Sequence, residues 1–169
     1  MQKIMSLGLT GTLTALLLAL LSIITNQPSH VAAAVTKSTA PVHGLYLTNG
    51  TFDGAHALTA CTTGYHMASI WEIHEPSNLR YDTALGFNLA DSGSGMPTGY
   101  GGWIRTGFVA DTSSNVGTAN CNVWRSGSAP DFGTTVVFEA GFNTGPPSSP
   151  LVGNTTSCSA PNMVWCVQD

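Results

Sequence analysis

Hydrophobic and polar positions change rhythm several times along this chain, and each change marks an element. Leu45, Tyr46, Leu47 and Thr48 make a short extended run that stops at the Asn49-Gly50 turn signal, which predicts a first strand. From Thr51 to Cys61, the residues Ala55, Leu58 and Cys61 recur at helical spacing, and Thr51 or Asp53 is placed to cap the start. A first helix is therefore expected there, ended by Gly64 and carrying Cys61 on its buried side. Tyr65 to Ile70 is extended and largely apolar, as a short strand would be. Ser69-Ile70-Trp71-Glu72 then has the spacing of a capping box: the serine oxygen accepts from the amide three residues on, and the glutamate reaches back to the serine amide. The spacing predicts a second, brief helix from Ser69 that ends before Pro76, which lacks the amide to continue it.

Pro76 to Tyr81 is a turn-rich connection, and Gly86 to Gly102 reads as a long, glycine-rich surface loop holding Asp91, Ser92, Ser94 and Pro97. Loops longer than about 12–15 residues are usually functional or disordered. Trp103 to Phe108 returns to an extended pattern, and Asp111 to Gly117 is a turn cluster. Asn120 to Arg125 alternates with period two, which puts Cys121, Val123 and Arg125 on one face and Asn122 and Trp124 on the other. After a loop from Ser126 to Gly133, Thr134 to Phe138 is a β-branched strand. Asn143 to Asn154, with Pro146, Pro147 and Pro150, reads as irregular loop, and a last strand runs from about Asn162 to Val167. Strands and short helices in this order predict one α+β domain without repeats.

The N-terminus bears on compartment. Lys3 precedes an apolar stretch from Leu7 to Ile24, and Ala32-Ala33-Ala34 supplies the small residues a signal peptidase accepts. Residues 1–34 are read as a secretory signal peptide, 35–42 as a linker and 43–169 as the domain. The competing reading is a retained anchor, because the stretch approaches the roughly 20 residues that span a bilayer. No second apolar span follows, so the mature protein is expected to be exported, soluble and off the membrane. Only 8% of residues are charged, against roughly 25% in ordinary soluble domains, and no basic stripe is present. Nucleic acid is therefore excluded as a partner. Four cysteines in an exported chain imply two disulfides, and three pairings are open. No C-x-x-C occurs, and the cysteine spacing fits no zinc pattern.

Two groups of residues carry a resemblance. Ala68-Ser69-Ile70-Trp71-Glu72, after a predicted helix bearing Cys61, resembles the first half of the C-type lectin-like fold. Cys121-Asn122-Val123-Trp124-Arg125-Ser126 resembles the C-x-x-W-R-T stretch of the endostatin branch of that fold. Ser157-Cys158 with Val164-Trp165-Cys166-Val167-Gln168-Asp169 resembles its closing S-C…V-L-C-I-E-N. The Met67-Ala68-Ser69 and Trp165-to-Asp169 stretches are also similar to those of small, uncharacterised exported bacterial proteins. The resemblance implies two short helices, a small twisted antiparallel sheet with long loops, and a nested pairing of Cys61 with Cys166 and Cys121 with Cys158. It does not bring the family's calcium site: Glu75-Pro76-Ser77-Asn78 departs from the sugar-binding pattern, and Arg125 stands where Asn-Asp would follow Trp124. The arginines Arg80, Arg105 and Arg125 are too few for a heparin face.

Candidate chemistry is sparse. His56, His66 and His74 fall near Glu72 and Glu75, but without H-E-x-x-H, and Glu72 is accounted for as a cap partner. Ser92 and Ser94 lack the G-x-S-x-G elbow, and oxidised cysteines exclude thiol catalysis. No metal and no cofactor are expected, and no enzyme. Trp71, Trp103 and Trp165 are assigned to the core. Tyr100 and Asp91 in the long loop, and Trp124 with Asn122, are the candidate ligand contacts. Asn49-Gly50-Thr51 and Asn154-Thr155-Thr156 have the form of glycosylation acceptors. The expected function is a secreted, disulfide-stabilised binding or adhesion module that recognises an extracellular glycan or protein through its loops, without calcium. The alternatives are a secreted hydrolase using His66, His74 and a carboxylate, or a structural cell-surface component. The cysteine-bearing terminal strand is expected to be the centre of the fold, with the site away from it.

Overall fold

The strand Met163–Gln168, β7, is where the fold converges. Val164, Trp165, Cys166 and Val167 are all buried, so this strand is covered on both faces and reads as an unbroken apolar run. The computed structural model describes residues 42–139 and 150–169; the signal-peptide stretch, residues 35–41 of the linker, residues 140–142 and residues 143–149 of the expected irregular loop lie outside them. The first strand, β1 (His43–Leu47), pairs antiparallel with β7 through Leu45↔Val167, Tyr46↔Cys166 and Leu47↔Trp165. On the other side of β7 lie β2 (Tyr65–Met67), antiparallel, and β4 (Gly101–Trp103), parallel. β3 (Leu79–Tyr81) runs parallel to β1 at one edge. β5 (Phe132–Phe138) and β6 (Leu151–Ser157) continue from β4 to the other. The sheet has 7 strands in the order β3-β1-β7-β4-β5-β6, with β2 also on β7. It is mixed, not the antiparallel sheet expected, and the domain is α+β with two disulfides.

Two tryptophans fill the centre without cost to their polar ends. Trp165 and Trp103 are fully buried, and their indole N–H groups donate to Val136 O at 2.9 Å and Phe52 O at 2.7 Å. The bonds Cys61–Cys166 and Cys121–Cys158 tie the first third of the chain and its middle to β7 and the segment before it. The inner bond is packed so closely that a Cβ on Gly54 would lie 2.4 Å from Cys121 Sγ, and one on Gly133 2.6 Å. Only glycine fits at either place.

Several expectations change. The helix predicted from Thr51 to Cys61 is only a 3-10 turn, Ala57–Thr59, with Leu58 exposed. Gly54 and the threonines are weak helix formers, and Asp53 closes a single turn on the His56 amide at 3.0 Å without nucleating more. The strand predicted to Ile70 ends at Met67. The helix from Ser69 forms as α1 (Ile70–Ile73), with both halves of the capping box present. Trp71 is not in the core: Ile73 is the buried residue of α1 and Ile70 is half-buried, so the ring points away from the sheet and is 76% exposed. Leu151 to Asn154 are strand, not loop, because β6 pairs with β5 along its whole length.

The largest departure is Cys121–Trp124. The period-two alternation is not a strand but one helical turn wound left-handed, with φ of 49, 54, 52 and 60° in succession. Left-handed helix costs about 1–2 kcal/mol per residue for L-amino acids, and a β-branched residue such as Val123 is rare there. Three anchors hold it. Cys121 is tied to Cys158, Trp124 packs edge-on against Trp103 at 5.6 Å, and Asn120 grips both sides of the turn. The Asn120 side chain accepts from Asp111 N (3.0 Å) and Val123 N (2.9 Å) and donates to Phe108 O (3.2 Å) and Val109 O (2.8 Å). All four of its hydrogen-bonding positions are used.

Candidate binding groove

Strands β3, β1, β7 and β2 lie side by side, and their ends form the floor of a groove of about 330 Å3. Leu79 of β3 is in register with His43 of β1, and Val167 of β7 lies between Leu45 of β1 and His66 of β2. Gln168 ends β7 and Asp169 follows it. Glu72 of α1, with Glu75 and Asn78 from the turn beyond it, closes the far side. Leu79 and Val167 give an apolar floor, and carboxylates, amides and imidazoles form the rim.

One wall is a clamp centred on His66. Its Nδ1 lies 2.7 Å from Asp169 Oδ1 and its Nε2 2.8 Å from Glu72 Oε1. Ionised carboxylates only accept, so this geometry favours the doubly protonated ring, in which both nitrogens donate. Partial burial by itself lowers the His66 pKa, but the hydrogen bonds to Asp169 and Glu72, reinforced by their charges, outweigh it and hold the ring above its ordinary value of 6.5. Glu72 serves the clamp and the helix together. Its Oε2 accepts from the Ser69 amide at 2.7 Å and hydroxyl at 2.6 Å. Burial raises its pKa, but the bonds from Ser69 and from His66 prevail and keep it below the usual carboxylate range. The opposite wall is set by the backbone. His43 Nδ1 donates to Gln168 O at 3.2 Å, and Gln168 Oε1 accepts from Gly44 N at 3.0 Å, which fixes the amide's orientation. Gln168 also lines a second, more open hollow of about 570 Å3 with Gly44, Tyr65, Arg80 and Asp82.

The residues singled out from sequence fare unevenly. Trp124 is 5% exposed and belongs to the core, a consequence of the left-handed turn. Asn122 is exposed on that turn, Asp91 is exposed in the long loop, and Tyr100 is half-stacked on Phe87 at a centroid distance of 4.7 Å. None of the four lines the groove. His66, Glu72 and Glu75 do, but His74 is exposed at the end of α1 and outside it, and His56 pairs with Asp53 at 2.6 Å. The His66/His74 pair of the hydrolase reading is thus not brought together, and both ring nitrogens of His66 are engaged by carboxylates. His43, Asn78, Gln168 and Asp169 carried no local signal. Only the pairing of β1 and β2 with β7, between residues far apart in sequence, gathers them. Among the described residues, no group of three or more His, Cys, Asp or Glu is set to hold a metal ion. No protein-family model, no curated protein and no solved structure matches this chain.

Proposed function

We propose that the chain is an exported, disulfide-stabilised binding module of C-type lectin-like type, and that the groove at the end of β7 takes an extracellular glycan without calcium. The observation that carries this reading is the groove's make-up. An apolar floor of Leu79 and Val167 is ringed by Glu72, Glu75, Asn78, Gln168 and Asp169. A sugar ring has an apolar C–H face and a rim of hydroxyls that both donate and accept. A small apolar floor with a few convergent polar groups matches it. The second hollow, sharing Gln168, supplies room for a neighbouring sugar. The lectin-like assignment is supported by the nested bonds, which the resemblance implies. Export is supported by the apolar N-terminal stretch and by two disulfides, which persist outside reducing compartments. Among the described residues, no helix is long and apolar enough to cross a membrane.

A panel of neutral and amino sugars, titrated calorimetrically with and without chelator, tests the proposal. Hydrogen bonds to charged groups contribute about 1.5–3 kcal/mol, so Glu75→Gln is expected to lower affinity about tenfold or more. Gln168→Ala should do the same, and chelator should change nothing. Affinity that survives both substitutions would place the site elsewhere, and chelator sensitivity would overturn the calcium-free reading.

A further inference from the structure

A second surface, separate from the groove, is built from apolar side chains that the fold leaves outside. Trp71 and Val109 are exposed by 76% and 74%, and Phe108 and Val123 are partly exposed. The four come together. The Trp71 indole nitrogen lies 3.9 Å from where a Cβ on Gly107 would stand, and Asn120 holds the carbonyls of Phe108 and Val109 and the amide of Val123. Gly107, Phe108, Val109 and Ala110 are all exposed, so the loop presents an unbroken apolar tip.

We infer that this tip, with Trp71 and Val123, docks onto an anionic lipid surface. Three observations favour lipid over another protein. The tip is already relieved of part of its polarity, because the buried Asn120 amide satisfies the carbonyls of Phe108 and Val109. A backbone entering the edge of a bilayer must have its acceptors satisfied internally. The exposed ring is a tryptophan, the residue suited to the boundary between hydrocarbon and water. Two arginines flank the cluster in an otherwise acidic, charge-poor chain. Arg105 is joined by its carbonyl to the Ile70 amide beside Trp71, and Arg125 follows the left-handed turn. Among the described residues, neither arginine forms an ion pair. The carboxylates nearest in sequence are engaged: Glu72 by Ser69 and His66, Asp111 by the Ser113 amide at 2.7 Å. With Glu72 paired to His66, the two unpaired arginines beside the apolar tip outnumber the one remaining carboxylate there, Asp111, and complement phosphate headgroups over acyl chains.

Because the chain also carries the apolar Leu7–Ile24 stretch, sedimentation with vesicles does not isolate this surface, and a local reading is needed. Trp71 supplies one, since Trp103, Trp124 and Trp165 are buried. The full chain is mixed with vesicles of phosphatidylcholine and phosphatidylglycerol whose acyl chains are brominated, and tryptophan emission is followed. Quenching is expected with the anionic vesicles and much less with phosphatidylcholine alone. It should vanish in Trp71→Phe and in the double variant Phe108→Ser/Val109→Ser, with near-ultraviolet dichroism showing both folded. Arg105→Gln and Arg125→Gln should each weaken vesicle affinity about fivefold at low salt. Chain that sediments with vesicles while Trp71 stays unquenched would overturn the inference. So would equal quenching in the double variant, or a vesicle-independent dimer abolished by the same substitutions.

Discussion

The His66 clamp makes stability depend on pH in a direction that can be worked out. His66 is raised above 6.5 in the folded chain, so its contribution is fully present below pH 6.5 and is lost as pH rises through the folded value. Glu72 is held below 4.5, so the same bonds are present above pH 4.5 and are lost as pH falls through its folded value. The clamp is therefore strongest between those limits, in mild acid. Its magnitude follows from exposure: the side chains of His66 and Glu72 are 34% and 35% exposed and that of Asp169 is 61% exposed. Partly exposed pairs contribute about 0.2–1 kcal/mol each after solvent screening. Taking the Glu72 pair near the top of that range and the Asp169 pair near the bottom gives about 1 kcal/mol, or about 4 °C in Tm for a domain of this size. Thermal unfolding at pH 5.5 and 8.5 in low salt, for the wild type and His66→Gln, measures it. The exposed His56–Asp53 pair is present in both proteins and cancels. The wild type should lose about 4 °C more than the variant on going to the higher pH. Identical pH dependence in the two would refute the clamp, and so would a larger loss in the variant.

Relief of the left-handed turn should show as a gain. Val123→Gly removes a β-branched residue at φ 52° that packs little, so the relief of about 1–2 kcal/mol exceeds the chain entropy glycine costs, and stability should rise by about 0.5–1 kcal/mol in urea. The disulfides give a paired comparison. Loop entropy assigns about 4.8 kcal/mol to Cys61–Cys166, with separation 105, and about 3.8 to Cys121–Cys158, with separation 37. Cys121, Cys158 and Cys166 are fully buried and Cys61 is half-buried, so the C61A/C166A and C121A/C158A variants lose similar packing, and C61A/C166A should be the less stable by about the loop difference of 1 kcal/mol in urea. Equal midpoints would show that loop length does not decide between the two bonds.

What the sequence disclosed and what it hid divide by the range of the interactions. Ser69 and Glu72 meet within one helical turn, so their reciprocal bonds could be read directly. The same turn held a signal left unused: Ile70 and Ile73, three apart, claim the face toward the sheet and leave Trp71 outside. At Cys121–Trp124 alternation misreads the faces: the buried pair Cys121 and Trp124 is three residues apart, as in a helix, with Asn122 and Val123 exposed between them, and no pattern of burial reports the hand of the backbone. The groove was illegible because its floor comes from strands that are neighbours only in the sheet. The terminal strand was expected to be the centre of the fold and a poor place for a site. It is central, and its last residues, Val167 to Asp169, also line the groove.

The position of β7 also sets the order in which the molecule can assemble. β1, β2 and β4 each pair with it, so three of the sheet's contacts wait for residues 163–168. Before that, only the parallel β1–β3 pair and the β4–β5–β6 meander can form. β1, made about 120 residues before β7, thus waits for it to complete its pairing. Closure over such distances in sequence is slow compared with local hairpin formation, and the Cys61–Cys166 bond can form only after it.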